Sequence, residues 1–509
     1  MSVLIKNAKI LTMDESFTEY ECADILVQGT KIVEIGRGLT PAEGEHDLRV
    51  IDGSSKLVMP GLVNGHLHSP GNFMKGMLDD LPLEIFMLYE VPPLSDTPLD
   101  PRHIYIRTML SNMEMLKLGV TSVHDDAYYI PYPTADTINS LMQAYVDCGI
   151  RAVATLDQPN VIEYEKYPYL HDILPEDLRQ KMANAPIMPE VELLELYQHL
   201  IRKWHKACDG RVKAGVSISA PQRVTVSYFE ALAEISQSMD LPFDIHILET
   251  KLQRVLGEEK YKKSLVQYVK DLGFLIEQAM VIHAIWVDDA DIEALANSGC
   301  SVAHNPLCNL RLGSGVMQFR KLRDKGIPIC LGSDEMNTDD TANMWGVGKI
   351  AGLIHTLTNP DYQKWPKARE ILTALTSDGA RAMRNQGSVG RLAPGYEADL
   401  ILLDLNTLAF TPMNDIYRQL VYSENGSSVL MTMVAGRIVM EDGRLLTINE
   451  EDIKAEVREI MRSYQKEVAL INEAAATLEP YYREMYLRAA SKDVGMNRWV
   501  GDAWKDIKA

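Results

Sequence analysis

Cysteine is scarce in this chain, six in 509 residues, and none stands in a Cys-x-x-Cys pair. That spacing argues against thiolate metal sites. Cys22, Cys148, Cys208, Cys300, Cys308 and Cys330 are expected as reduced, buried core residues. Basic residues are also in short supply, 51 against 71 acids, for a formal charge of −20. Such a surface repels polyanions, which speaks against nucleic acid or an anionic membrane as a partner. No apolar run approaches about 18 residues, so no membrane span is expected. The N-terminus carries no basic stretch followed by a long apolar core, so no signal peptide is expected and the cytoplasm follows by default. What is present, 46% apolar and 24% charged residues, is the profile of an ordinary globular protein.

The chain turns on Met59-Pro60-Gly61-Leu62-Val63-Asn64-Gly65-His66-Leu67-His68. If this apolar run is a strand, side chains two apart share a face, and both imidazoles leave its end together. That geometry grips a metal. An isolated His-x-His also occurs by chance, so the rest of the chain must decide.

Residues 1–58 read as short strands with turns (3–13, 24–28, 31–36, 49–52 and 56–60), the first part of a small β-sandwich. From residue 59 to about 390, eight strand-like runs alternate with amphipathic stretches: 59–65, 120–124, 151–156, 212–220, 243–248, 280–285, 300–304 and 327–332. Eight largely apolar strands alternating with helices predict parallel strands covered on the outside, the α/β architecture of the (β/α)₈ TIM barrel. Its active sites lie at the C-terminal ends of the strands. The β pattern returns over 391–445 and is expected to complete the sandwich. Residues 446–509 form a charged extension of helical period, with Ile453, Val457, Ile460 and Met461 on one face. It is free to pack on the barrel or on another subunit.

Reactive residues collect at the predicted strand ends. Run one ends in His66 and His68, run five in His246-Ile247-Leu248-Glu249, run six carries His283, run seven ends in His304, and run eight leads into Asp334. Any one buried histidine is more often a satisfied core residue. Five of the chain's twelve on one rim, with a carboxylate, are harder to dismiss. Three imidazoles and a carboxylate suit zinc first and Fe(II) second, with room left for water that titrates near pH ~7. Calcium and magnesium prefer oxygen ligands.

These motifs in this order resemble the amidohydrolase superfamily, and within it the aminohydrolases that deaminate purines, pterins and related heterocycles or act on s-triazines. The likeness runs from about residue 3 to 445 and includes Pro60–His68, His246–Thr250, His304-Asn305-Pro306, Leu331-Gly332-Ser333-Asp334 and Gly395-Tyr396-Glu397-Ala398-Asp399-Leu400. The resemblance implies one divalent metal per chain on His66, His68, His246 and Asp334. It implies that Glu249 shuttles a proton to a ring nitrogen, that His283 orients the attacking water, and that Asp334 takes that water's proton. No lysine stands at the end of run four (216–222), so the bridged dinuclear site is not expected. The implied reaction is hydrolytic deamination of a small heterocycle with release of ammonia, by a homo-oligomer, a dimer or tetramer. The same site could hydrolyse another C–N, C–Cl or amide bond, and a catalytically silent binding barrel is the rival from a different class.

The segment 77–83 resembles that of S-adenosylhomocysteine and methylthioadenosine deaminases. Three departures weigh against an adenosine nucleoside: Phe86 where a Trp is usual, Gln222 where a His follows Pro221, and Cys308 where Ser is common. Gln222, His304, Asn309, Phe86 and Tyr128 are the candidate substrate contacts, with His304 equally open to supporting a ligand. Tyrosines in 128–132 and at 164, 167 and 169 are read either as stacking residues or as anchors of long loops. Asp125 and Asp126 are read either as binding a substrate or as capping the next helix, with capping preferred.

Overall fold

The computed structural model describes residues 2–40, 48–501, 505 and 507. The N-terminal strands are β1 (Ser2–Leu11), β2 (Glu19–Gln28), β3 (Lys31–Gly36), β4 (Leu48–Asp52) and β5 (Lys56–Pro60). β2 starts earlier than the apolar pattern suggests, because its first four residues are exposed or half-exposed and carry no hydrophobic signal.

Run 59–65 divides between two strands. Met59 and Pro60 end β5, and the barrel opens with β6 (Leu62–His68), which contains both histidines. The break is Gly61, where a Cβ would lie 2.1 Å from the Thr121 side chain. The barrel continues through β7 (Val120–Asp125), β8 (Arg151–Ala154), β9 (Val212–Ala214), β10 (Val216–Ser217), β11 (Phe243–Ile247), β12 (Ala279–His283), β13 (Ser301–His304), β14 (Ile329–Leu331) and β15 (Asp334–Glu335). All pairings among these strands are parallel.

Hydrogen bonding yields two five-stranded sheets, β15-β6-β7-β8-β9 and β10-β11-β12-β13-β14. β9 and β10 are successive pieces of one strand interrupted at Gly215, and β14 and β15 are pieces of another interrupted at Gly332-Ser333. Each interrupted strand belongs to both sheets, so the eight strands close into a ring. At Gly332 a Cβ would lie 2.7 Å from the His66 carbonyl oxygen, so only glycine lets strand eight pass strand one this closely.

The returning β segment forms β16 (Leu400–Asp404), β17 (Val429–Val434), β18 (Arg437–Glu441) and β19 (Arg444–Leu445). β16 pairs antiparallel with β5, joining both chain ends in one nine-stranded sheet over a core that includes Ile5, Ile25, Val58, Leu400 and Met433. Asp399 ties this sheet to the barrel. Its carboxylate accepts from Arg151 Nε (2.6 Å) and Nη2 (3.1 Å), and from the Ala435 amide (2.7 Å).

The helix Glu450–Ala490 packs on the barrel, against the helices Leu83–Glu90 and Pro101–Lys117. Ile453 and Ile460 are buried, Val457 and Met461 partly so, and Arg102 clasps Glu456 with two bonds of 2.6 Å. Among the described residues no helix is long and apolar enough to cross a membrane. No disulfide links the six cysteines, but only four are buried: Cys22 and Cys208 are exposed, contrary to the expectation of core positions. Their polar sequence neighbours keep those two segments at the surface.

Candidate metal centre and active site

Period two in β6 turns His66 and His68 to one side, where their ring centroids lie 4.6 Å apart. His68 Nδ1 donates to the Asp126 carbonyl (2.5 Å) and His246 Nδ1 to the Ser219 carbonyl (2.8 Å). A carbonyl can only accept, so both rings carry their proton on Nδ1 and turn an Nε2 lone pair inward. Those two Nε2 atoms face each other at 3.2 Å. Two lone pairs do not bond each other; a cation between them resolves the contact. Fully buried His66 completes a three-histidine group whose ligand atoms lie within 4.8 Å of one another, and neither of its ring nitrogens has a hydrogen-bond partner.

Asp334 Oδ1 lies 3.8 Å from the Nε2 atoms of both His66 and His68, while Oδ2 accepts from Asn305 Nδ2 (2.9 Å). Four ligands about 2.1 Å from a tetrahedral ion stand about 3.4 Å apart, so these residues fit one zinc-sized cation. Burial, reinforced by the neighbouring imidazoles, holds His66 and His246 well below the usual histidine range, in the neutral form a metal requires.

The strand ends around this group are bent into left-handed backbone at Ser219 (φ +62°), Leu248 (+55°), His283 (+74°), Ala284 (+47°) and Asp334 (+63°). Non-glycine residues rarely occupy this region, and such strain gathers where side chains must be aimed.

Glu249 and His283 stand beside the group. His283 Nε2 is 3.4 Å from Glu249 Oε2 and 3.7 Å from Asp334 Oδ2. The Asn309 amide nitrogen lies 3.0 Å from His283 Nδ1; as donor to that nitrogen it leaves the ring proton on Nε2. Burial lowers His283 to about 4. Burial, with Asp334 and Glu84 adding to it, pushes the Glu249 carboxyl well above its usual range. Both shifts favour the uncharged forms, a carboxylic acid beside a neutral imidazole.

Glu249 is held from behind. Ser314 Oγ donates to Glu249 Oε1 (3.3 Å), and the Ser314 carbonyl accepts from Trp286 Nε1 (2.8 Å). The C-terminal segment straps this loop down: Trp499 Nε1 donates to the Gly313 carbonyl (2.8 Å), Val316 N to the Arg498 carbonyl (2.8 Å), and Arg498 to the carbonyls of Ile285 (3.0 Å) and Val287 (2.6 Å).

The cavity over this floor is lined by His68, His246, Glu249, His283 and Asp334, together with Tyr128 and residues not anticipated from sequence, including Leu83, Met87, Asp157, Arg223, Leu312 and Glu335. Asn309 reaches it only through His283. Gln222, His304 and Phe86 do not line it. Gln222 faces a smaller hollow beside Glu84 and Tyr167. His304 turns away to meet His355 (Nε2–Nε2 3.1 Å) and Phe319, and Phe86 packs beneath the wall on Cys308 and Leu312.

Asp125 and Asp126 cap nothing. Asp125 accepts from Ser69 N (2.9 Å), Ser69 Oγ (2.7 Å) and Tyr145 Oη (2.7 Å), and Asp126 accepts from the Thr155 hydroxyl. Thr134 caps the next helix, Ala135–Cys148, because the loop after β7 carries the chain well past both aspartates before that helix begins. Tyr167 packs edge-on against Tyr482 (5.5 Å) and Tyr169 receives the Arg488 guanidinium (4.1 Å), so those tyrosines anchor their loop to the long helix.

Residues 57–439 match the family model described as Amidohydrolase family. A 5'-deoxyadenosine deaminase of Methanosarcina mazei is 29% identical over 470 residues, 92% of this chain and 99% of that protein. A 5-methylthioadenosine/S-adenosylhomocysteine deaminase of Thermococcus kodakarensis is 30% identical over 440 residues, covering 86% and 94% of the two chains. Among solved structures, the zinc complex of atrazine chlorohydrolase from Arthrobacter aurescens superposes with a TM-score of 0.81 at 24% identity, over 90% of this chain and 99% of that one. A zinc-bound adenosine deaminase from Xanthomonas campestris gives 0.80 at 21%, over 92% and 98%. At those identities the structural likeness speaks to the barrel fold.

Proposed function

The chain belongs to the amidohydrolase family, and from that premise we propose that it hydrolytically deaminates a nitrogen heterocycle, releasing ammonia. One observation carries this reading: buried Glu249 and His283 face each other, Oε2 to Nε2 at 3.4 Å, directly beside the three-histidine and Asp334 group. The names of the curated relatives, deaminases of adenosine derivatives, point the same way and offset the three departures that weigh against a nucleoside.

His66, His68, His246 and Asp334 would hold one divalent ion, zinc by the chemistry of the donor set, which when bound acts as a Lewis acid and makes water nucleophilic at neutral pH. The protein's own groups handle the protons. Asp334, its Oδ2 fixed by Asn305, takes the proton of the attacking water. His283, with Nε2–H directed between Glu249 and Asp334, orients that water and stabilises negative charge at the attacked carbon's substituent. Glu249 delivers its Oε2 proton to the adjacent ring nitrogen; Asp334 passes the proton it took from water to the amino group, which leaves as ammonia, and the proton of the new hydroxyl returns to Glu249 as the carbonyl forms. Burial keeps these transfers off bulk solvent.

The test is ammonia release across purines, adenosine derivatives, pterins and triazines, with and without a chelator. Ammonia from one ring class, lost on chelation and restored by zinc, is the expected result. Another leaving group released without ammonia, from protein holding one metal per chain, would replace deamination with hydrolysis of a different bond.

A further inference from the structure

Arg223 follows barrel strand four and lines the catalytic cavity, with only 9% of its surface exposed. Its backbone is pinned: the amide donates to the Ala220 carbonyl (2.9 Å) and the carbonyl accepts from the Asn160 amide (3.1 Å). Its guanidinium is poorly satisfied. Nη1 donates to Ser219 Oγ (3.2 Å) and Nη2 to the Met87 sulfur (3.1 Å), a hydroxyl and a weak thioether acceptor for a group with five donors. Among the described residues no carboxylate comes within ion-pair distance of it. The contrast within the chain is plain. Arg151 is clasped by Asp399, and Arg254 by Glu258, Asp288 and Asp291. Arg107 also lacks an ion pair but does not line the cavity.

A buried guanidinium with no ion-pair partner is costly: Leu83, Met87 and Pro159 on the same wall offer no strong acceptor, and Asp157, Glu84 and Glu249 feel its charge only from beyond ion-pair distance. The cost rises when a divalent cation occupies the histidine group in the same cavity, because like charges in a low-dielectric space repel. A ligand that brings a negative group removes both penalties. We propose that Arg223 forms a subsite for an oxyanion, a carboxylate or a phosphate, carried by the heterocyclic substrate. The planar guanidinium accommodates either through paired N–H···O bonds. A neutral ring would leave those donors buried and unpaired, which selects against it.

This subsite rests on the deaminase reading, and the experiment separates the two. Calorimetric binding is measured for adenosine, adenosine-5′-carboxylic acid and adenosine 5′-monophosphate, and for pterin and pterin-6-carboxylate. The protein is zinc-loaded wild type, Arg223→Gln or Arg223→Lys, and ammonia is read in parallel. In wild type the charged member of at least one series binds tenfold or more tightly than the neutral one, and the better of the two anions tells carboxylate from phosphate. Arg223→Gln brings that ratio near one, and Arg223→Lys retains part of it in a protein with the wild-type melting profile. No preference for a charged member, including no binding at all, or a preference that survives Arg223→Gln, overturns the proposal. Binding preference without ammonia from any ring leaves the subsite standing and removes the deaminase reading instead.

Discussion

The floor of the cavity is made from strand ends and its wall from the segments that leave them, and the two hold their side chains differently. His66 and His68 lie within β6, a strand hydrogen-bonded on both sides, and His246 and His283 sit at the ends of β11 and β12. The rings of His68 and His246 are fixed by backbone carbonyls and that of His283 by Asn309, while buried His66 has no hydrogen-bond partner on its ring. The wall comes from the short helix Leu83–Glu90, the loops after β7, β8 and β10, and the turn around Leu312. Arg223 there rests on a hydroxyl and a sulfur atom. The floor is built to place atoms and the wall to sort ligands, so substitutions on the floor should fail in kcat and those on the wall in KM.

The largest effect is expected from the floor itself. His68→Ala or Asp334→Ala should lose bound metal and drop ammonia release to background, measured by elemental analysis alongside turnover. Glu249→Gln should keep the metal and the substrate affinity yet lose about 10²–10⁴ in kcat. In the proposed mechanism the acid form of Glu249 is the active one, and its carboxyl is raised, so wild-type kcat should fall on the alkaline side and the variant should lack that limb. The same raised carboxyl has a stability counterpart in metal-free protein. The folded state favours the proton more than the unfolded chain does, so stability is full at low pH and is lost as pH rises through the raised value. Melting temperatures of metal-free Glu249→Gln should fall less steeply with pH than those of wild type.

Intermediate effects belong to the strap behind Glu249. Ser314→Ala removes one hydrogen bond and should lower kcat about tenfold with KM nearly constant, and Trp499→Ala should act in the same direction by a smaller factor. The smallest effect sharpens the contrast from the other side. Phe86→Leu lies beneath the wall and should cost about 1 kcal/mol of stability while leaving kcat within about twofold, read by denaturant unfolding and steady-state rates.

Floor and wall also differ in how legible they were. The clustered histidines announce themselves because period two and strand-end placement are local properties, and an eightfold alternation tells which ends meet. The carboxylate in Gly395–Leu400 was visible as a motif, but its partner, Arg151, lies 248 positions away and only the fold joins them. Run four and run eight each read as one strand, and nothing local marks the interruptions at Gly215 and Gly332-Ser333 that hand the chain from one sheet to the other. Gln222 and Arg223 illustrate the limit most clearly. They are adjacent, and a turn after β10 decides which faces the catalytic cavity: the arginine lines it while the glutamine turns to a side hollow. Helix capping by Asp125 and Asp126 failed for a related reason, since buried hydroxyls from Ser69, Tyr145 and Thr155 claim both carboxylates first.

The central claim is that the floor is a single-metal catalytic centre. It is tested most directly by stripping the protein of metal and titrating zinc back while following ammonia release from the best substrate. A centre of His66, His68, His246 and Asp334 predicts activity that rises from background and levels off at one equivalent per chain. Activity that is undiminished in the stripped protein, or that continues to climb to two equivalents, would contradict it.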